Sequence, residues 1–192
     1  GAIVGDLRLA GGGVNGTIAL LPRNGGQGFD VALTANQATF PGPTPIAINQ
    51  ATINASGFFA DGNSTITGTV RAAGINYGTL FIGRLAANAE VINGEGSFQA
   101  ALTGRRGSRF SLQLAGNVAS DRIAVAARGE YAGRDIVMPR RAVLLKTEDG
   151  GWELQKSQLS FGDGFVIAEG RFGGEAPAQG RGIEPLAGLG HR

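Results

Sequence analysis

Glycine-punctuated alternation runs through this chain in stretches such as STITGTVRAAG, GSFQAALTG, RFSLQLAG and DRIAVAARGEYAG. Every second residue is apolar, and glycine or a short polar turn closes each run. Successive side chains of a strand point to opposite faces, so such runs predict half-buried β-strands. One face collects Ile66, Val70, Phe98, Leu102, Phe110, Leu112, Leu114, Ile123 and Val125. The other collects Thr65, Thr67, Arg71, Gln99, Ser111, Gln113 and Arg128. Little on either face could do chemistry, which directs attention to the shape and apolarity of the first.

The composition favours a thin, curved sheet. Glycine supplies 34 of 192 residues, well above the usual level near ~7 %, and much of the apolar 42 % is alanine. Sheets rich in such residues bend tightly and leave room beside their inner face, which suits a trough or a coil better than a dense sandwich. Cysteine is absent, so neither disulfides nor thiolate metal sites are available. No apolar run reaches the ~20 residues of a membrane helix, and neither a leader nor an anchor is visible in this piece.

The net charge of +2 is unevenly placed. Residues 101–146 carry nine basic residues (Arg105, Arg106, Arg109, Arg122, Arg128, Arg134, Arg140, Arg141, Lys146) against three acidic ones. A solvated outer face is the ordinary reading; attraction to anionic headgroups or an acidic partner is the sharper one. Nucleic acid fits poorly, because no aromatics interleave with the arginines.

About a dozen short strands are expected over 3–10, 16–21, 29–34, 46–55, 64–71, 78–83, 95–103, 109–116, 122–131, 142–147, 151–155, 158–161 and 165–172. Turn chemistry separates them at Asn24-Gly25-Gly26, Asp61-Gly62-Asn63, Asn93-Gly94, Asp149-Gly150-Gly151 and Gly162-Asp163-Gly164. Pro41-Gly42-Pro43-Thr44-Pro45 is a rigid break. Residues 84–92 read equally as a short helix or another strand. Residues 1–174 form the β-rich segment, and 175–192 an irregular tail or truncated continuation.

Catalytic signatures are missing. The only histidine is His191, so no histidine triad or cluster can be assembled. Gly94-Glu95-Gly96 precedes a strand and reads as a turn. Asp61 to Ile66 lacks the sixth-position glycine of a calcium loop. Paired carboxylates lack the aromatic platforms of a sugar cleft, and Trp152, alternating with Leu154, reads as a core residue. No enzyme, cofactor or metal is expected.

The stretch 123–174 carries Gly129-Tyr131-Gly133-Arg134, then Asp149 to Trp152, Leu159-Phe161-Gly162-Gly164 and Gly170-Phe172-Gly173-Gly174. This series of strand ends and turns resembles the β-rich repeat region of TamB and the wider AsmA-like family of Gram-negative envelope proteins. The resemblance covers about a quarter of the chain and lapses after residue 175. It implies an all-β fold, a long curled antiparallel-rich sheet forming a U-shaped, taco-like trough with an apolar interior. It further implies a periplasmic segment of a protein anchored in the inner membrane outside this piece. Such a protein would carry phospholipid toward the outer membrane and support outer-membrane protein assembly with a TamA-type barrel partner.

On that reading the nine apolar-face residues, Ile66 to Val125, line a groove for acyl chains. Burial of a methylene is worth about 0.8 kcal/mol, so a dry groove needs no polar specificity. Two other readings stand beside it: a structural or adhesive β-solenoid filled by its own side chains, and a transmembrane barrel, which would need aromatic girdles at both boundaries.

Overall fold

The computed structural model describes residues 3–23, 25–161, 164–173 and 179–181. They form fourteen strands in one sheet: β1 (Gly5–Gly11), β2 (Val14–Arg23), β3 (Gly26–Phe40), β4 (Ile46–Ala60), β5 (Asn63–Tyr77), β6 (Leu80–Ile92), β7 (Glu95–Arg106), β8 (Ser108–Val118), β9 (Arg122–Tyr131), β10 (Arg134–Val137), β11 (Ala142–Lys146), β12 (Trp152–Phe161), β13 (Gly164–Phe172) and β14 (Gln179–Arg181). Each of β1 to β9 pairs antiparallel with its successor in sequence. The described chain is therefore a meander, not the β-solenoid held as an alternative, whose coils would pair across longer sequence separations. Short turns dictate this: a two-residue connection can only return a strand beside its predecessor.

The turn between β6 and β7 illustrates the local cause. Asn93 and Gly94 adopt φ of 52° and 80°, the left-handed pair of a type I′ turn, which matches the strands' twist. Asn93 donates its backbone N–H to the Ser64 carbonyl at 2.7 Å, and its Oδ1 accepts from the Ser64 N–H at 2.8 Å. One hairpin is thereby fastened to the strand beside it. The proline-rich segment 41–45 connects β3 to β4.

Residues 84–92, open between a helix and a strand, are strand, within β6. Two expectations are corrected. The two strands expected over 151–155 and 158–161 are one, β12, with an irregularity between Leu154 and Ser157. β10 was not expected, and with β11 it fills a single place between β9 and β12 in two pieces. Pro139, which has no N–H to donate, lies in the gap between those pieces. Finally, β14 pairs with β13 inside the segment 175–192, read as an irregular tail or a truncated continuation; the remainder of that segment and His191 lie outside the described residues.

Residues paired across a ladder share a face, so the register sorts every side chain. One row runs Leu7, Ile18, Val31, Ala55, Gly68, Ala89, Phe98, Gly116, Val125, Ala142. The next polar row runs Arg8, Thr17, Ala32, Asn54, Thr69, Asn88, Gln99, Ala115, Ala126. No second layer covers either face among the described residues. Among the described residues the buried hydrophobic residues are five alanines, Ala35, Ala38, Ala72, Ala124 and Ala142, and no large side chain is fully buried. Trp152, expected in a core, is half-buried on the apolar face opposite Phe172.

Candidate functional site: an uncovered apolar face

All nine residues expected to line the groove project from one face. Val70, Leu114, Leu102, Leu112 and Phe110 follow the rows through β5 to β8, and Ile66, Phe98, Ile123 and Val125 lie on the rows flanking them. The seven polar residues read from the sequence as their opposites occupy the other face. Eight of the nine are half-buried by their lateral neighbours, and Ile66 is 36 % exposed. The same face carries the more exposed Leu7, Ile53, Phe40, Phe59 and Tyr77. It is continuous from β1 to β9.

Two devices keep it so. The first is a ring laid over a glycine. Phe29 is paired with Gly57, Phe98 with Gly116, and Phe110 with Gly104. A Cβ at any of these glycines would run into the facing phenyl ring. The bare backbone lets each ring lie flat instead of standing out into water, and Phe29 also stacks on Phe59 with centroids 5.9 Å apart.

The second device is a line of extra residues crossing four strands. Gln37, Asn49, Gly74 and Gly83 are each skipped by the ladder at the same level of β3, β4, β5 and β6. Against β7, which has no such residue, the line ends as a bulge between Ile82 and Arg84. Gly74 has φ 68° and Gln37 φ 49°, left-handed values that glycine accepts without strain. A strictly alternating strand would send Ile48, Ile75 and Ile82 to the polar face. The extra residue returns all three to the apolar one, beside Gly104 and Phe110. Sequence reasoning missed this line, although the apolar spacing signals it: 48 to 51, 72 to 75 and 82 to 85 are steps of three.

The marked hollows lie on the opposite side. One groove of ≈ 590 Å³ takes in Thr17 and Ala19 but not the intervening Ile18, which places it on the polar face. A second of ≈ 560 Å³ crosses β4 to β8. Leu85, Leu102 and Leu112 fill the apolar side of those stretches, whereas Ala73, Ala86 and Ala101 leave space on the polar side. A third of ≈ 940 Å³ adjoins it and shares Arg71, Ala86, Ala101 and Gln113.

Ionic contacts are few. Arg23 pairs with Asp30 at 2.7 Å and Arg171 with Asp149 at 3.4 Å. Arg128 donates to Gln113 at 2.8 Å, Arg141 to Asn117 at 2.6 Å, and Arg105 lies 5.1 Å from the centroid of Phe81. The Thr147 hydroxyl, with the Gly151 N–H and Arg171, holds the Asp149 carboxyl below its ordinary range against an opposing desolvation. Among the described residues no helix is long and apolar enough to cross a membrane, and no group of histidine and carboxylate side chains could hold a metal.

Compared with known proteins, the chain matches no family model, no curated protein and no solved structure.

Proposed function

We propose that this chain shelters hydrocarbon along its apolar face, as a segment of a periplasmic conduit that moves phospholipid between the membranes of a Gram-negative envelope. The observation that carries this reading is the apolar face itself, continuous over nine strands and covered by nothing among the described residues. Exposed apolar area on that scale marks a surface that works against another apolar body. Acyl chains are a fitting occupant, since they need only a dry, extended surface. In this proposal the sheet curls so that the apolar face lies inside and the polar face meets water. The likeness of residues 123–174 to TamB and the AsmA-like proteins adds the direction, toward the outer membrane, and a role in barrel assembly with a TamA-type partner. The parent protein would be anchored in the inner membrane.

Native mass spectrometry of the protein extracted from a Gram-negative envelope tests this. Phospholipid adducts are expected, and they should disappear in Leu112→Arg and Val125→Arg variants that retain their far-ultraviolet circular dichroism. A folded protein that carries no lipid under any gentle extraction defeats the reading. A folded state obtained only in detergent would favour a membrane barrel instead.

A further inference from the structure

On the polar face, Arg71 of β5 is directly opposite Ala86 of β6, and Arg84 of β6 is opposite Ala73 of β5. The two arginines are therefore diagonal neighbours, roughly 7–8 Å apart at the backbone. Neither has a carboxylate within ion-pair distance; the ion pairs of the described residues are Arg23–Asp30 and Arg171–Asp149. Two guanidinium groups so placed repel each other, and an anion between them would convert that repulsion into attraction.

Both line the ≈ 560 Å³ groove. Its remaining polar lining consists of hydroxyls and carboxamides, notably Thr52, Thr103, Ser111 and Gln113, and includes no acidic residue. Arginine with hydroxyl donors is the set that recognises a multi-oxygen anion, since a guanidinium donates two parallel hydrogen bonds to neighbouring oxygens. The nearest carboxylate on this face in register is Glu130, opposite Ser111, and it is not among the lining residues. Between the arginines and the adjoining ≈ 940 Å³ groove the shared row carries Ala86 and Ala101. This low apolar strip leads away from the charges.

We infer that the polar face binds a phosphate ester: its phosphate lies between Arg71 and Arg84, and its organic part follows the Ala86–Ala101 strip. This site is separate from the apolar face, because a ligand on one side of a single sheet cannot reach the other.

Isothermal titration with dihexanoyl phosphatidic acid, kept below its micellar concentration, tests it alongside inorganic phosphate. Saturable binding of the ester is expected, at least tenfold tighter than that of inorganic phosphate. It should weaken tenfold or more in Arg71→Gln/Arg84→Gln. Arg8→Gln, on the same face but remote, should leave it unchanged. Should the double variant misfold, Thr103→Val, which keeps both charges, is expected to weaken the ester several-fold. Absence of saturable binding, undiminished affinity in a folded double variant, or equal affinity for inorganic phosphate would each overturn the inference.

Discussion

Gly57→Ala isolates the ring-over-glycine device. Gly57 has an ordinary extended backbone, being absent from the positive-φ positions, so a methyl group costs nothing locally. Removing a glycine from a strand should even stabilise it, by about 0.5–1 kcal/mol. The new Cβ, however, overlaps the edge of the Phe29 ring. The ring must tilt, which costs about 1–3 kcal/mol as overpacking and weakens the stack on Phe59, worth about 0.5–1.5 kcal/mol. The clash and the lost stacking outweigh the backbone gain, so a net loss of about 1–2 kcal/mol is expected in urea denaturation followed by circular dichroism. In a Phe29→Ala background nothing opposes the methyl, and the same substitution should be neutral or stabilising. The cycle should therefore give a coupling of about 2 kcal/mol, within the range for residues in contact. A coupling below about 0.5 kcal/mol, the scatter seen for independent sites, would refute the idea that Phe29 is held flat on bare backbone.

Deletion of Gly83 removes the end of the line of extra residues. It should send Ile82 and Leu80 to the polar face, costing about 2 kcal/mol or more and raising the fluorescence of a hydrophobic dye. Gly94→Ala forces a methyl into φ 80°, and a loss of about 1–2 kcal/mol is expected from the left-handed penalty, read by urea titration. Arg105 and Arg109 directly oppose each other, so Arg109→Glu should raise stability by about 0.2–1 kcal/mol at low salt, and less at high salt. Asp149 is held below its ordinary value of 3.8. Its stabilising effect is complete above that value and lost as pH falls through the lowered one. The acid limb of the stability profile should flatten in Thr147→Val.

The apolar face was legible because period-two alternation survives wherever a strand pairs regularly, as in β7 and β8, where Phe98, Leu102, Phe110 and Leu112 fall as read. The phase shift in β3 to β6 escaped notice because a bulge contributes only one residue, and Asn49 or Gly83 carries no mark distinguishing it from its neighbours. Residues 84–92 were ambiguous because alanine at 86, 87 and 89 suits a helix as well as a strand. Pairing with β5 and β7 decided the matter, a tertiary preference overriding a local one. β10 was hidden by its four-residue length. The ≈ 560 Å³ polar-face groove was invisible for another reason: it exists only where Ala73, Ala86 and Ala101, from three different strands, reach neighbouring places on one face.

The sheet without a second layer also governs how the molecule comes apart. Its principal contacts join each strand to its immediate sheet neighbours, so free energy accumulates link by link, as in solenoid proteins treated as one-dimensional arrays. Melting should start at the β1 margin, where every residue is exposed, and travel inward as a moving boundary. Hydrogen exchange would then grade smoothly from β1 to β5. Calorimetric and van't Hoff enthalpies would disagree, because no all-or-none transition would link the two.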